Sequence, residues 1–227
     1  MDASAWDARY AASDLVWSAT PNIWVAQLCA PMSPGRALDI AAGEGRNAIW
    51  LAEQGWQVDA TDYSQVAIER LGRIAAERLG PDAVRVAGLV ADATQPAPGT
   101  AYDLALFCYV HLPPEQWRAA LEQAVAATRP GGAVLVIAHS LRNLTEGVGG
   151  PQVPEILQDP EHVVASAHAL PVVAELAELR RREVPAEVGH RHTDGHAHQP
   201  TPGGIALDTV VLLRKTELFK TVIPSKI

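Results

Sequence analysis

Short apolar runs alternate along the first two thirds of the chain with stretches in which apolar residues recur at helical spacing. The runs predict buried strands, and the helical stretches predict helices packed on a sheet. We interpret the order as four units of strand plus helix and then a fifth strand, which is typical of an α/β fold with a mainly parallel sheet. The predicted strands are residues 36–42, 56–62, 84–90, 102–110 and 133–138.

Several helix ends carry their own signals. Pro21 and Asn22 open a helix that runs to about residue 30, and Ser64 caps one that runs to about residue 79. A helix over residues 115–128 stops at the sequence Arg-Pro-Gly-Gly. Residues 141–160 have few apolar side chains, and they predict a long loop near the edge of the sheet that binds ligand.

The last third of the chain predicts a hairpin. Residues 205–213 alternate in the way of a strand. Residues 170–184 are ambiguous, because their apolar positions fit one face of a helix whereas the surrounding pattern fits a strand. Two strands joined by a hairpin after a parallel sheet would put one antiparallel strand at or near its edge.

Aromatic residues are concentrated before the first strand. Trp6, Tyr10 and Trp17 either anchor an N-terminal helix in the core or form a lid over a ligand, and the sequence does not choose between the two.

Composition bounds the function. The chain has 227 residues, 48% of them hydrophobic and 19% charged, which suffices for one soluble α/β domain. The formal charge of −8 repels phosphate backbones and argues against nucleic acid as a partner. No apolar run is long enough for a membrane span, and the first residues lack the pattern of a signal peptide. We therefore expect a cytoplasmic protein with no membrane partner, in which Cys29 and Cys108 are buried thiols.

A glycine-rich turn follows the first predicted strand. Gly43 and Gly45 lie between this strand and a helical pattern, where backbone N–H groups can hold a ligand. Asp62 ends the next strand, at the place where an acid accepts the hydroxyls of a ribose. The turn alone does not choose between NAD and other adenosine ligands, and a tight turn without a ligand is the alternative.

These motifs together resemble the class I S-adenosylmethionine-dependent methyltransferases. Residues 39–45 are similar to the family's D-x-x-x-G-x-G, residues 102–107 to its fourth-strand motif, and residues 129–132 to its Lys/Arg-Pro-Gly-Gly turn. The resemblance implies a Rossmann-like, doubly wound sheet of seven strands with the last antiparallel and helices on both faces. Residues 170–184 would then be strand six.

The N-terminal Trp/Asp-x-Arg-Tyr pattern resembles the small-molecule branch that includes tellurite-resistance and thiopurine-type enzymes. Residues 107–110, Phe-Cys-Tyr-Val, depart from the Asp/Asn-Pro-Pro-Tyr of nucleic-acid amino-methyltransferases. The resemblance therefore implies a small-molecule methyl acceptor.

The resemblance also implies roles for single residues toward S-adenosylmethionine. The backbone from Ala41 to Gly45 would hold the methionine and ribose portions, and Asp39 would orient this turn or the donor's amino group. Asp62 would accept the ribose hydroxyls, and Phe107 would line the methionine end through its main chain. Tyr63 would pack on adenine, and Asp92 would accept from the adenine amino group. The full set expected at the cofactor is Trp17, Asp39, Ala41, Gly43, Gly45, Asp62, Tyr63, Ala91, Asp92, Ala93 and Phe107.

Two histidines are candidate catalytic bases. His111 follows the fourth predicted strand and His139 the fifth, and both strand ends face the same crevice. Histidine titrates in the range that proton transfer near neutral pH needs. The alternative is that each side chain only caps a loop by hydrogen bonding.

Half of the eight histidines lie in residues 189–199. A three-residue hairpin turn at residues 193–195 would put the four imidazoles on one face, where they could hold Zn, Ni or Cu. A two-residue turn would instead put them on opposite faces, and a solvated polar loop is the favoured alternative. The possible metal ligands are His190, His192, His196 and His198.

The sequence thus predicts methyl transfer from S-adenosylmethionine to a small molecule. The alternatives are an NAD-dependent oxidoreductase and a non-catalytic metal-binding protein on a methyltransferase scaffold. We expect an N-terminal helical lid over residues 1–35, a methyltransferase domain over residues 36–214 with a His-rich hairpin at 189–199, and a tail over residues 215–227.

Overall fold

A computed structural model of the chain describes residues 3–11, 20–186 and 203–217. Its central feature is one sheet of seven strands. The strands are β1 (Arg36–Ile40), β2 (Gln57–Asp62), β3 (Val86–Val90), β4 (Tyr102–Cys108), β5 (Thr128–His139), β6 (Val172–Val184) and β7 (Gly204–Lys215). Their order across the sheet is β3-β2-β1-β4-β5-β7-β6. Strands β1 to β5 are parallel, and β7 is antiparallel to both β5 and β6. The predicted fold class is confirmed.

Helices cover both faces of this sheet. They are α1 (Ala3–Ala11), α2 (Ile23–Cys29), α3 (Arg46–Glu53), α4 (Gln65–Leu79), α5 (Pro114–Ala127), α6 (Asn143–Glu146) and α7 (Pro160–Ser166), with 3₁₀ turns at Gly80–Arg85 and Pro154–Ile156. Trp117 and Leu121 of α5 pack in one core, and Val25 of α2 and Leu51 of α3 pack in a second. The central strands are therefore buried on both faces, which explains why they read as continuous apolar runs.

Local side chains fix where the helices begin, as the sequence predicts. The Oδ1 atom of Asn22 accepts from the amide of Trp24 (2.9 Å) at the start of α2. The Oγ atom of Ser64 accepts from the amide of Ala67 (3.1 Å) at the start of α4. Each cap satisfies an N–H group that has no partner inside its own helix.

Two predicted features differ in the structure. The link between β3 and β4 contains no helix, because residues 91–101 form turns, so only three of the four expected units carry a helix. Strand β5 begins at Thr128, five residues earlier than predicted, and includes the Arg-Pro-Gly-Gly sequence. Its register against β4 shifts at Tyr102, where a Cβ on Gly132 would lie 2.8 Å from the tyrosine carbonyl oxygen. Glycine at position 132 lets β5 pass close to the backbone of Tyr102 in β4.

The ambiguous segment 170–184 forms the edge strand β6. It pairs along its length with β7, with one irregularity between Ala174 and Leu176. Pairing with a neighbouring strand outweighs the helical spacing of its apolar positions, since strand propensity depends on such packing. Within the described ranges, no helix has the length and apolar character of a membrane span.

Leu71 of α4 tests the packing of the second core. Its side chain is 1% exposed, whereas Leu89 at the edge of the sheet is 37% exposed. We expect Leu71→Ala to lower the free energy of unfolding by about 2–5 kcal/mol, because it leaves a cavity, and Leu89→Ala to cost less than about 1 kcal/mol. Urea unfolding of both variants measures this, and equal losses would contradict the assigned core.

Candidate active site

The turn between β1 and α3, residues 41–45, lies at the C-terminal edge of the sheet. Its backbone is left-handed at Ala41, Gly43 and Gly45, with φ angles of 54°, 57° and 81°. Glycine adopts this conformation freely, whereas alanine is strained in it, and such strain is concentrated at functional sites. A Cβ on Gly45 would also lie 2.6 Å from the side chain of Leu71, so the packing of the turn on α4 requires glycine.

Asp62 connects the end of β2 to this turn. Its Oδ2 atom accepts from the amide of Gly43 and its Oδ1 atom from the amide of Ser64, both at 2.9 Å. Burial raises the pKa of Asp62 above its usual value, and the two amides oppose that shift. Each carboxylate oxygen has a second lone pair, so the side chain holds the turn and can still accept the hydroxyls of a ribose.

Asp39 is buried at the end of β1, behind the turn. It accepts a hydrogen bond from the amide of Ala48 in α3. This contact supports its expected role in orienting the turn. Burial raises its pKa to about 7, although the nearby guanidinium of Arg46 opposes the shift. Its Oδ2 atom is buried without a hydrogen-bond partner. An unpartnered acceptor beside the turn fits a donor group such as an ammonium.

The residues expected at adenine lie beside Asp62. The amide of Ala91 donates to the Asp62 carbonyl (3.0 Å), which brings the end of β3 next to the end of β2. Asp92 is exposed, and one of its oxygens accepts from the amide and the hydroxyl of Thr94, both at 2.8 Å. Tyr63 and Ala93 are half-buried at the same edge. The structure therefore brings these residues together around one crevice.

Phe107 turns its side chain away from this crevice. The ring is fully buried and meets the Trp117 ring of α5 edge to face, with centroids 5.2 Å apart. Only the main chain of Phe107 is therefore left to contact a ligand in the crevice, as the resemblance implies. The left-handed turn, the carboxylate of Asp62 and the unpartnered oxygen of Asp39 together fit S-adenosylmethionine.

The two candidate bases lie together at the ends of β4 and β5. The rings of His111 and His139 are parallel, with centroids 5.6 Å apart. The ring of Tyr109 stacks against the ring of His139, with centroids 4.4 Å apart. Burial and the neighbouring His139 lower the pKa of His111 to about 4, so this imidazole is neutral at pH 7. The guanidinium of Arg46, just after the glycine turn, lies 5.9 Å from the Tyr109 ring.

Asp208 of β7 lies behind this group of rings and is fully buried. Its Oδ2 atom accepts from Trp24 Nε1 (2.9 Å), Tyr109 OH (2.9 Å) and Arg182 Nε (2.7 Å). The Nδ1 atom of His139 lies 3.5 Å from its Oδ1 atom. Burial alone would raise the pKa of Asp208, but the facing donors lower it to about 2. The carboxylate is therefore charged at neutral pH.

The sequence analysis missed Asp208 and its partners Arg182, Tyr109 and Trp24 as functional candidates. One signal was available. An aspartate in the middle of an apolar strand must find donors, because a buried charge without partners is very unfavourable. The run of three arginines in the neighbouring β6 offers such donors.

Several predicted residues lie outside the described residues. Trp17, which was expected at the cofactor, is one of them. The four possible metal ligands are also outside, and they are His190, His192, His196 and His198. In the part of the chain that the structure describes, no three His, Cys, Asp or Glu side chains form a group that could hold a metal ion.

Comparison with known proteins identifies the domain that carries this site. Residues 37–132 match the family model described as a methyltransferase domain. No curated protein matches the sequence. The matched residues include the glycine turn, Asp62, Asp92 and both ends of β4.

Solved structures share the fold at low sequence identity. One, described as the conversion of a disulfide bond into a thioacetal group during echinomycin biosynthesis, is 19% identical with a TM-score of 0.71. The match covers 94% of this chain and 91% of that one. TehB from Haemophilus influenzae is 18% identical with a TM-score of 0.65, over 86% of this chain and 63% of TehB. A complex of DhpI with SAH is 19% identical with a TM-score of 0.58, over 95% and 96% of the two chains.

The resemblance drawn from the motifs is thus confirmed. Residues 37–132 match a methyltransferase domain, and the sheet of this chain has the strand order expected for the class I methyltransferase fold.

Proposed function

We propose that this chain transfers the methyl group of S-adenosylmethionine to a small-molecule acceptor. The observation that carries the proposal is the turn of residues 41–45, whose Gly43 amide is fixed to the buried carboxylate of Asp62. This contact places the backbone of a glycine, which has no side chain, beside an acid with free lone pairs. The methyltransferase family match supports this function over the NAD-dependent alternative.

The donor half of the site holds and orients S-adenosylmethionine. When bound, S-adenosylmethionine supplies a methyl group on a positively charged sulfur. Asp62 accepts the ribose hydroxyls, while Tyr63, Ala91, Asp92 and Ala93 surround adenine. Ala41, Gly43 and Gly45 present backbone to the methionine portion, Asp39 stiffens the turn from behind, and Phe107 contributes main chain.

The acceptor half supplies proton transfer. His111 follows β4 and His139 is the last residue of β5, next to the predicted position of the methyl group. Transfer proceeds by in-line displacement, so the protein must align the acceptor and keep out water. A base is required only for an acceptor that starts protonated, and one of these imidazoles would take that proton.

The N-terminal segment acts as a lid over the donor. Asp7 of α1 accepts from the Ser64 hydroxyl (2.5 Å) and from the Val66 amide (3.3 Å), both at the start of α4. Tyr10 of the same helix is buried. These contacts hold α1 next to Asp62, which supports the expected closure over the ribose.

Asp62 tests the cofactor assignment. We expect Asp62→Ala to weaken binding of S-adenosylmethionine by about 1.5–3 kcal/mol, because charge-assisted hydrogen bonds are lost. Isothermal calorimetry measures this, and urea unfolding without ligand shows how far the loss of the Gly43 contact affects the fold. Asp82→Ala, an exposed acid far from the turn, is the control. Unchanged affinity in a folded Asp62→Ala protein would overturn the assignment.

Asp39 predicts a pH dependence of stability. Its pKa is about 7 in the fold and near 3.8 usually, so the folded state binds the proton more tightly. The stabilisation is present below about pH 4 and is lost as the pH rises to about 7. Asp39→Asn stays neutral, so we expect it to be more stable than the wild type at pH 8, by at most about 4 kcal/mol. Unfolding at pH 5 and pH 8 checks this. A variant less stable than wild type at pH 8 would refute it.

The lid predicts the effect of a truncation. Removing residues 1–20 leaves the Asn22 cap of α2 in place, so we expect a folded protein. Transfer of labelled methyl groups into a small-molecule extract should be lost, because the donor is no longer covered. Circular dichroism is the control for folding, and turnover at the wild-type rate would show that the segment is only a structural anchor.

A further inference from the structure

The buried carboxylate of Asp208 accepts three hydrogen bonds on Oδ2 and only one long hydrogen bond, from Arg182, on Oδ1. Trp24, Tyr109 and Arg182 Nε all donate to Oδ2 at 2.7–2.9 Å. Among the described residues, Arg182 Nη2 (3.4 Å) and His139 Nδ1 (3.5 Å) approach Oδ1, and this Nδ1 atom is buried without another hydrogen-bond partner. A buried charged oxygen attracts any N–H that can reach it. Of the two groups at Oδ1, His139 is the one whose proton can lie on either ring nitrogen.

The ring of His139 is held so that Nδ1 faces Asp208. His139 and Asp208 are directly paired residues of β5 and β7, so their side chains project from the same face of the sheet. Tyr109 stacks on the ring at 4.4 Å, and His111 lies parallel to it at 5.6 Å. A Cβ on Gly150 would lie 2.8 Å from the ring's Cδ2 atom, so the loop backbone also packs against the imidazole.

We infer that Asp208 is the positioning residue that keeps the proton of His139 on Nδ1. We assign hydroxyls or thiols as the acceptors, because their oxygen or sulfur needs a base to become a strong nucleophile, whereas a neutral amine does not. The hydrogen bond made by one ring nitrogen sets the state of the other. With Nδ1 protonated, Nε2 keeps a lone pair and acts as the base. This inference rests on the proposed function for its acceptor class.

The proposed step balances. The O–H or S–H bond of the acceptor breaks and its proton moves to Nε2 of His139. The electron pair left on the acceptor atom forms the bond to the methyl carbon. The bond from that carbon to the donor sulfur breaks, and its electrons stay on the sulfur. The imidazolium that forms is paired with the carboxylate of Asp208, which is already charged.

His111 supports the assignment of roles within the pair of histidines. Among the described residues no carboxylate shifts the pKa of His111, its Nε2 atom is buried without a hydrogen-bond partner, and the ring is neutral. It therefore contributes a neutral wall beside His139 and does not add a second positive charge. Asp208 is therefore the group that pairs with a positive charge on the two stacked imidazoles.

The chain contains a matched control. Asp59 accepts from Tyr102 OH (2.6 Å) and from Arg36 (3.1 Å), and the Arg36 guanidinium lies over the Tyr102 ring at 4.8 Å. The same three residue types thus meet at the opposite edge of the sheet, far from His139. Asp59→Asn removes an equivalent carboxylate without touching the proposed site.

The experiment is nitrogen-15 NMR of histidine-labelled protein, with the His139 signals assigned by comparison with His139→Gln. We expect the Nδ1–H tautomer in the wild type and in Asp59→Asn. We expect loss of that preference in Asp208→Asn, whose side chain has the same shape but no charge. If Asp208→Asn fails to fold, the double variant with Arg182→Gln leaves no unpaired buried charge and gives the same expectation.

Activity gives the second measurement. With labelled S-adenosylmethionine and a small-molecule extract, we expect O-methyl or S-methyl products. Asp208→Asn should lower kcat about 100-fold, with unchanged affinity for S-adenosylmethionine by calorimetry. An Nε2–H tautomer in the wild type, a tautomer unchanged in Asp208→Asn, or products methylated only on nitrogen would overturn the inference. Failure of the proposed function itself would show separately, as no binding of S-adenosylmethionine.

Discussion

A single buried charge lies at the centre of the proposed acceptor side of this protein. The carboxylate of Asp208 has no access to water, so folding must replace its hydration with protein donors. Those donors come from α2, from the residue after β4, and from β6. One buried group therefore fixes the relative positions of a helix and three strands. This group also determines which side chains lie at the mouth of the crevice.

The donor side is built in a different way. The turn of residues 41–45, Asp62 and the Ser64 cap are close in sequence, and each is fixed by a contact with the next. The Gly43 amide meets the Asp62 carboxylate, and that carboxylate meets the amide of Ser64. The proposed donor site is thus a short, locally determined unit. The acceptor side depends on contacts between residues as far apart as Trp24 and Asp208.

This difference explains what the sequence could predict. Asn22 and Ser64 cap their helices through neighbouring amides, so their roles are readable from local pattern alone. The glycine turn and Asp62 were found for the same reason. The choice of strand for residues 170–184 came from the family resemblance, because its own spacing was helical. Tyr109, Arg182 and Trp24 could not be found locally, since only the pairing of β6, β7 and β5 brings them to Asp208.

The reversed direction of β7 has a consequence for how this fold can vary. Because β7 runs against β5, residues early in β7 reach the edge where the parallel strands end, and Asp208 is one of them. The long ladder between β6 and β7 fixes this register residue by residue. A slip of one position would present Leu207 or Thr209 in place of the charge. The charge of Asp208 therefore keeps its place for as long as this ladder holds, whatever sequence stands between Val184 and Gly204.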